Sequence, residues 1–98
     1  MTKKIYIAGP ISGRIEEAEK EFNQAEVFLN AKGYEVVNPM KLPHDHNKLW
    51  SSYMRECIFA LYECDTIYML ENYRQSPGAM IERRIAMDLD MEVIYKGS

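Results

Sequence analysis

Apolar residues along the chain fall into short blocks that alternate with helical stripes. Lys4 to Ala8 is a run of apolar, β-branched and aromatic residues ended by Gly9-Pro10, the pattern of a buried strand followed by a turn. Ile15, Ala18, Phe22, Ala25 and Phe28/Leu29 then recur at three-four spacing, with Glu16, Glu17, Glu19, Lys20 and Glu21 on the other face. This predicts an amphipathic helix, capped by Gly33 and followed by a strand over Tyr34–Val37 that stops at Asn38-Pro39. Met40 to Asn47 has no periodicity and reads as the longest loop. Trp50, Tyr53/Met54, Cys57/Ile58 and Leu61 form a second stripe, predicting a helix that ends near Cys64 with Ser51, Ser52, Arg55 and Glu56 outward. Thr66 to Leu70 is a third strand, Ser76 to about Asp90 a third helix, and Glu92 to Tyr95 a fourth strand.

Strands that are apolar on both faces, each joined to the next through a helix, argue for a parallel sheet covered on both sides. Right-handed crossovers then favour four strands in the order 2-1-3-4. The expected fold is a single α/β domain over residues 1–98, a Rossmann-like (flavodoxin-like) three-layer sandwich.

The third helix opens on Ser76-Pro77-Gly78: a Ser N-cap, a Pro pre-set at the first helical position, and a Gly that lets something approach the backbone. Counting on at helical spacing puts Glu82 on the stripe of Ile85, Ala86 and Leu89. It lies too far into the helix to close a capping box. Two readings stand on the residues alone: Glu82 flanks the stripe and reaches solvent or Arg14, or it is buried, which raises its pKa and calls for a reason. In an open parallel sheet, ligands bind beyond the carboxyl ends of the strands where strand order reverses, here between strands one and three. The loops at that point are Gly9 to Arg14 and Glu71 to Ser76. Both lead into helix N-termini, which favour an anion, and Ser12, Arg14 and Ser76 supply polar groups to complete a phosphate site.

Composition narrows this picture little. With 98 residues, 47% hydrophobic and 28% charged, the chain suits one modest core. A net charge of −3 offers no basic footprint for a nucleic-acid polymer. No apolar run approaches the ~20 residues of a membrane span, and the N-terminus lacks a signal-peptide pattern, so a cytoplasmic protein is expected. Cys57 and Cys64 are two turns apart on one helix and read as reduced core thiols. His44-Asp45-His46 lacks a third ligand at motif spacing and reads as a polar loop; neither metal nor cofactor is expected.

Together, Tyr6-Ile7-Ala8-Gly9-Pro10, Gly9-Pro10-Ile11-Ser12-Gly13, Val37-Asn38-Pro39, Trp50-x-x-Tyr53-Met54, Cys64-Asp65 and Ser76-x-Gly78-x-x-x-Glu82 resemble the nucleoside 2-deoxyribosyltransferase-like superfamily. The likeness runs over nearly the whole chain and is nearest to small bacterial and phage domains related to deoxynucleoside 5′-monophosphate N-glycosidases. The resemblance implies that Glu82 is a nucleophile that attacks the anomeric carbon and displaces the base, the logic of retaining glycoside chemistry. It implies that Tyr6 positions that carboxylate. It further implies that Ser76, where nucleoside transferases carry Asp, favours a 5′-monophosphate held with Gly9, Ser12, Gly13, Arg14 and Gly78. Asp65 reads as a structural cap. Active relatives carry an acid eight residues before Asp65, where this chain has Cys57; Glu56 lies about 100° around the helix. The expected function is therefore cleavage or transfer of an N-glycosidic bond in a small-molecule nucleotide, the alternative being nucleotide binding without turnover. A homodimer or higher homo-oligomer, formed through exposed aromatics of the second helix, is expected.

Overall fold

The computed structural model describes residues 3–42 and 49–97. In chain order these form β1 (Lys4–Ala8), α1 (Ile15–Ala31), β2 (Glu35–Val37), α2 (Trp50–Tyr62), β3 (Thr66–Met69), α3 (Pro77–Asp88) and β4 (Glu92–Tyr95), with 3₁₀ turns at Pro39–Lys41 and Tyr73–Gln75. All three strand pairings are parallel and the order is β2-β1-β3-β4, as predicted. Register runs Tyr6 beside Val37 on one side and beside Ile67 on the other.

The period-two alternation of a strand sorts β1 between two cores. Ile5 and Ile7 pack with Ala18, Phe22, Ala25 and Leu29 of α1 on one face. Tyr6 and Ala8 pack with Cys57 and Leu61 of α2 and Ala79 and Ala86 of α3 on the other. The result is a flavodoxin-like three-layer sandwich whose two-helix face receives the side chain of Tyr6.

The helices are narrower in burial than the stripes predicted. Ile15 and Phe28 of α1 are exposed, as is half of Trp50 at the start of α2. Each sits at an end or on the flank of its helix, beyond the reach of the sheet. α2 stops at Tyr62 and α3 at Asp88, each a turn or less early, so Leu89 turns outward as a C-cap and is exposed. The predicted loop after β2 starts as an ordered turn: the Asn38 side chain accepts from Met40 N at 3.0 Å. His44-Asp45-His46 lies outside the described residues. Asp65, expected to cap the helix-to-strand junction, instead ties the start of β3 to that of β1, its Oδ2 accepting from Lys4 N at 3.1 Å. Among the described residues no helix is long and apolar enough to cross a membrane, and both cysteines are buried free thiols.

Candidate active site

Gly9 is fixed by steric need. A Cβ there would lie 2.7 Å from Leu70 Cδ1 and 3.0 Å from Leu70 Cβ, so the chain leaving β1 can cross the end of β3 only without a side chain. The loop then turns through Ile11 to Arg14, closed by Arg14 N donating to Ile11 O at 3.1 Å, with Gly13 in the left-handed region at φ 75°. Arg14 holds this loop from outside. Its Nη1 donates to Pro10 O at 3.0 Å and to Glu21 Oε1 at 2.8 Å, and Nη2 reaches Glu21 Oε2 at 3.2 Å. The Arg14 guanidinium beside it holds Glu21 below the usual carboxylate range.

α3 begins as its sequence dictates. Ser76 is the N-cap, its Oγ accepting from Ala79 N at 3.1 Å, and Pro77 occupies the first helical position. Met80 N donates to Ser76 O, so Gly78 holds the free N–H of this first turn among the described residues. The space a side chain at Gly78 would need is taken by α2: its Cβ would meet Met54 Sδ at 3.0 Å and Trp50 Cζ2 at 3.7 Å. The glycine therefore admits a neighbouring helix, as well as bordering the cavity.

That cavity, of about 240 Å³, opens at the carboxyl ends of β1 and β3, below the roughly 300 Å³ at which typical ligand pockets begin. The β1–α1 loop contributes Gly9 and Ser12, α3 contributes Ser76, Gly78 and Glu82, and β1 contributes Tyr6. Gly13 and Arg14 do not line it. Of the eight residues expected at the site, the structure thus gathers six around one space, and sets Gly13 and Arg14 behind the loop.

Glu82 is 5% exposed, one and a half turns into α3. The Tyr6 hydroxyl donates to its Oε2, and no other hydrogen bond to the carboxylate is found among the described residues. Of the two readings open in the sequence, the solvent or Arg14 contact is therefore excluded. Burial pushes the Glu82 carboxyl up to about 7, an effect the Tyr6 hydrogen bond partly offsets. Tyr6 is itself pushed well above the usual phenol range, first by burial and then by the Glu82 charge and by Cys57. Cys57 lies between the two helices at this point. Burial and the Glu82 charge push its thiol up to about 11 despite bonds with Tyr6 and Tyr53. Tyr53 is raised in turn, chiefly by burial.

Trp50, Tyr53, Met54 and Cys57 also line the cavity. In the sequence they read as a packing stripe, with Trp50, Tyr53 and Met54 in a motif and Cys57 in the place of an acid, and none reads as pocket wall; their signal is that all four recur at helical spacing yet carry a polar or polarisable end. Chemically, the site combines a buried carboxylate near its midpoint of titration, one phenol bonded to it, and a hydroxyl and a free amide at a helix N-terminus. It can present an oxygen nucleophile and receive an anion. Among the described residues no group of three or more His, Cys, Asp or Glu is placed to hold a metal ion.

The model of a family described as a domain of unknown function (DUF4406) matches residues 3–95. No curated protein matches the chain. Among solved structures, the 2-deoxyribosyltransferase of the psychrotolerant bacterium Bacillus psychrosaccharolyticus superposes with a TM-score of 0.73 at 22% identity, over 94% of this chain and 70% of that one. The 2-desoxiribosyltransferase of Leishmania mexicana gives 0.72 at 20% identity, over 95% of this chain and 63% of that one. A CMP N-glycosidase of Clostridium botulinum gives 0.62 at 22% identity, over 95% and 67%. The chain thus spans about two thirds of the length of these proteins. At such identities the likeness is one of fold.

Proposed function

The chain belongs to the DUF4406 family of domains, and for this member we propose an enzyme that cleaves or transfers the N-glycosidic bond of a (deoxy)nucleoside 5′-monophosphate, with Glu82 as nucleophile. The observation that carries the reading is the Glu82 carboxylate: buried on the wall of the cavity, oriented through Oε2 by Tyr6, and held at about 7 by burial. Leaving such a group in the core disfavours its charged form, and a nucleophile is a reason to place it there. The proteins that share the fold, two 2-deoxyribosyltransferases and a CMP N-glycosidase, favour the same chemistry.

On this reading Oε1 attacks the anomeric carbon as the bond to the base breaks, giving a glycosyl ester that water or a second base resolves. Tyr6 keeps the carboxylate in one orientation and, as a donor, favours its ionised form. The phosphate lies at the amino end of α3, against the Gly78 N–H and the Ser76 hydroxyl, with Ser12 and the Gly9 backbone opposite. Ser76 Oγ uses a lone pair in capping and keeps its proton to donate. Arg14 and Gly13 contribute through the shape of the loop.

The test is incubation with deoxynucleoside and ribonucleoside monophosphates, with free base followed by chromatography. Base release that disappears in Glu82→Ala is expected; no release, or equal release by the variant, sinks the reading. A second reading, a nucleotide-binding protein without turnover, is favoured by one observation: Cys57 stands where an acid was expected, and its thiol keeps its proton to about 11. Thermal stabilisation by a nucleotide without base release distinguishes it. We also place the protein in the cytosol as a homodimer formed through α2, which exposes Phe59 and Tyr62; a monomer by light scattering at micromolar concentration removes that last claim.

A further inference from the structure

What the cavity offers a departing base is one ionisable acid and a set of aromatic faces. Trp50 and Tyr53 of α2 line it together with Tyr6, Cys57 and Glu82, and no Lys or Arg is found among the described residues of its wall. Loss of a neutral purine or pyrimidine builds negative charge on the ring and calls for a proton from the enzyme. Burial holds the Cys57 thiol at about 11 and both phenols above their usual range, so each gives up a proton poorly. A base that is already a cation needs no proton, since the electrons of the breaking bond neutralise it. The same positive charge is drawn to a carboxylate and to the faces of Trp and Tyr.

We propose that the preferred substrates are 5′-monophosphates whose base is a quaternised ring, a pyridinium or an N-alkylated purine, which departs from the anomeric carbon as a neutral heterocycle. This rests on the reading of Glu82 as nucleophile. In the first step Glu82 Oε1 bonds to the anomeric carbon while the carbon–nitrogen bond breaks, its electron pair passing to the ring nitrogen and cancelling the positive charge. In the second, water bonds to the anomeric carbon, the ester bond breaks to restore the carboxylate, and the proton goes to solvent. A bound cation also favours the ionised form of Glu82, so the nucleophile is prepared by the substrate it acts on.

The test compares nicotinamide mononucleotide with CMP, and 7-methylguanosine 5′-monophosphate with GMP, each rate corrected for the uncatalysed reaction. A kcat/KM at least about 100-fold higher for the cationic member of both pairs, lost in Glu82→Gln, is expected. Equal or better release from CMP and GMP, also lost in Glu82→Gln, overturns this inference and leaves the glycosidase reading standing. No release from any of the four overturns both. Trp50→Leu, at a half-exposed position, is expected to lower the preference for the pyridinium by about tenfold, in the range of a partly desolvated cation–π contact. A preference unmoved by Trp50→Leu removes the aromatic face from the argument, and with it the stated basis of recognition.

Discussion

Replacing Glu82 by Gln should make the protein more stable, and more so the higher the pH. The carboxyl sits at about 7 in the folded chain against 4.5 for an unperturbed one. Folding therefore takes up a proton between those values, and the contribution is fully present below 4.5 and lost as the pH rises through 7. At about 1.4 kcal/mol for each pH unit of the interval, the ionised, buried Glu82 costs about 3–4 kcal/mol relative to its protonated form. Most of this, about 2–3 kcal/mol, falls between pH 5 and 8.5. Gln preserves the shape and still accepts from the Tyr6 hydroxyl, but has no such dependence. Urea unfolding of both proteins at several pH values, followed by circular dichroism, gives the difference directly, and titrations elsewhere cancel. The stability gap should widen by about 2–3 kcal/mol from pH 5 to 8.5, on the order of 10 °C in Tm for a domain of this size. A gap that stays constant over that range refutes the account of Glu82 as a buried, proton-binding carboxyl. A gap that narrows with pH reverses it. The first result would tie the destabilisation to the residue proposed as nucleophile, a trade of stability for function.

Three further outcomes follow from the same geometry. Tyr6→Phe removes the hydrogen bond that favours the Glu82 anion, so the acidic limb of the pH–rate profile should move upward from about 7; a limb that moves down or stays contradicts the assigned role. Gly9→Ala forces a Cβ to 2.7 Å from Leu70 Cδ1 and should destabilise by about 1–3 kcal/mol, measured by denaturant unfolding; an unchanged midpoint means the β3 end yields. At Ser76, Ala should cost about 1 kcal/mol of stability by removing the cap on Ala79 N, whereas Asp should keep the cap and raise KM for a 5′-monophosphate by repelling the phosphate. If Asp leaves KM untouched, the phosphate is elsewhere.

Much of this protein was legible in the linear pattern. Short apolar runs and three-four stripes defined each described strand and α-helix to within a turn, because which residues of an element are apolar is a local property. The parallel order 2-1-3-4 followed from crossover handedness, and the cap at Ser76 from the chemistry of three consecutive residues. Even Glu82 announced itself as a carboxylate on an apolar stripe. What the linear pattern left open is which buried groups meet. Arg14 was expected at the phosphate or against Glu82, and the tertiary structure pairs it with Glu21, two turns along its own helix, so that it braces the β1–α1 loop outside the cavity. Gly78 reads as room for a ligand, yet the packing of α2 on α3 fills part of that room with Met54. Cys57 and Tyr53 read as core, and become wall only because α2 crosses beside Tyr6 and Glu82. The sequence by itself determined the elements, their order and the odd carboxylate. Only the tertiary structure decided the company that carboxylate keeps, because contacts between elements depend on how helices cross, and periodicity along one helix carries no record of its neighbour.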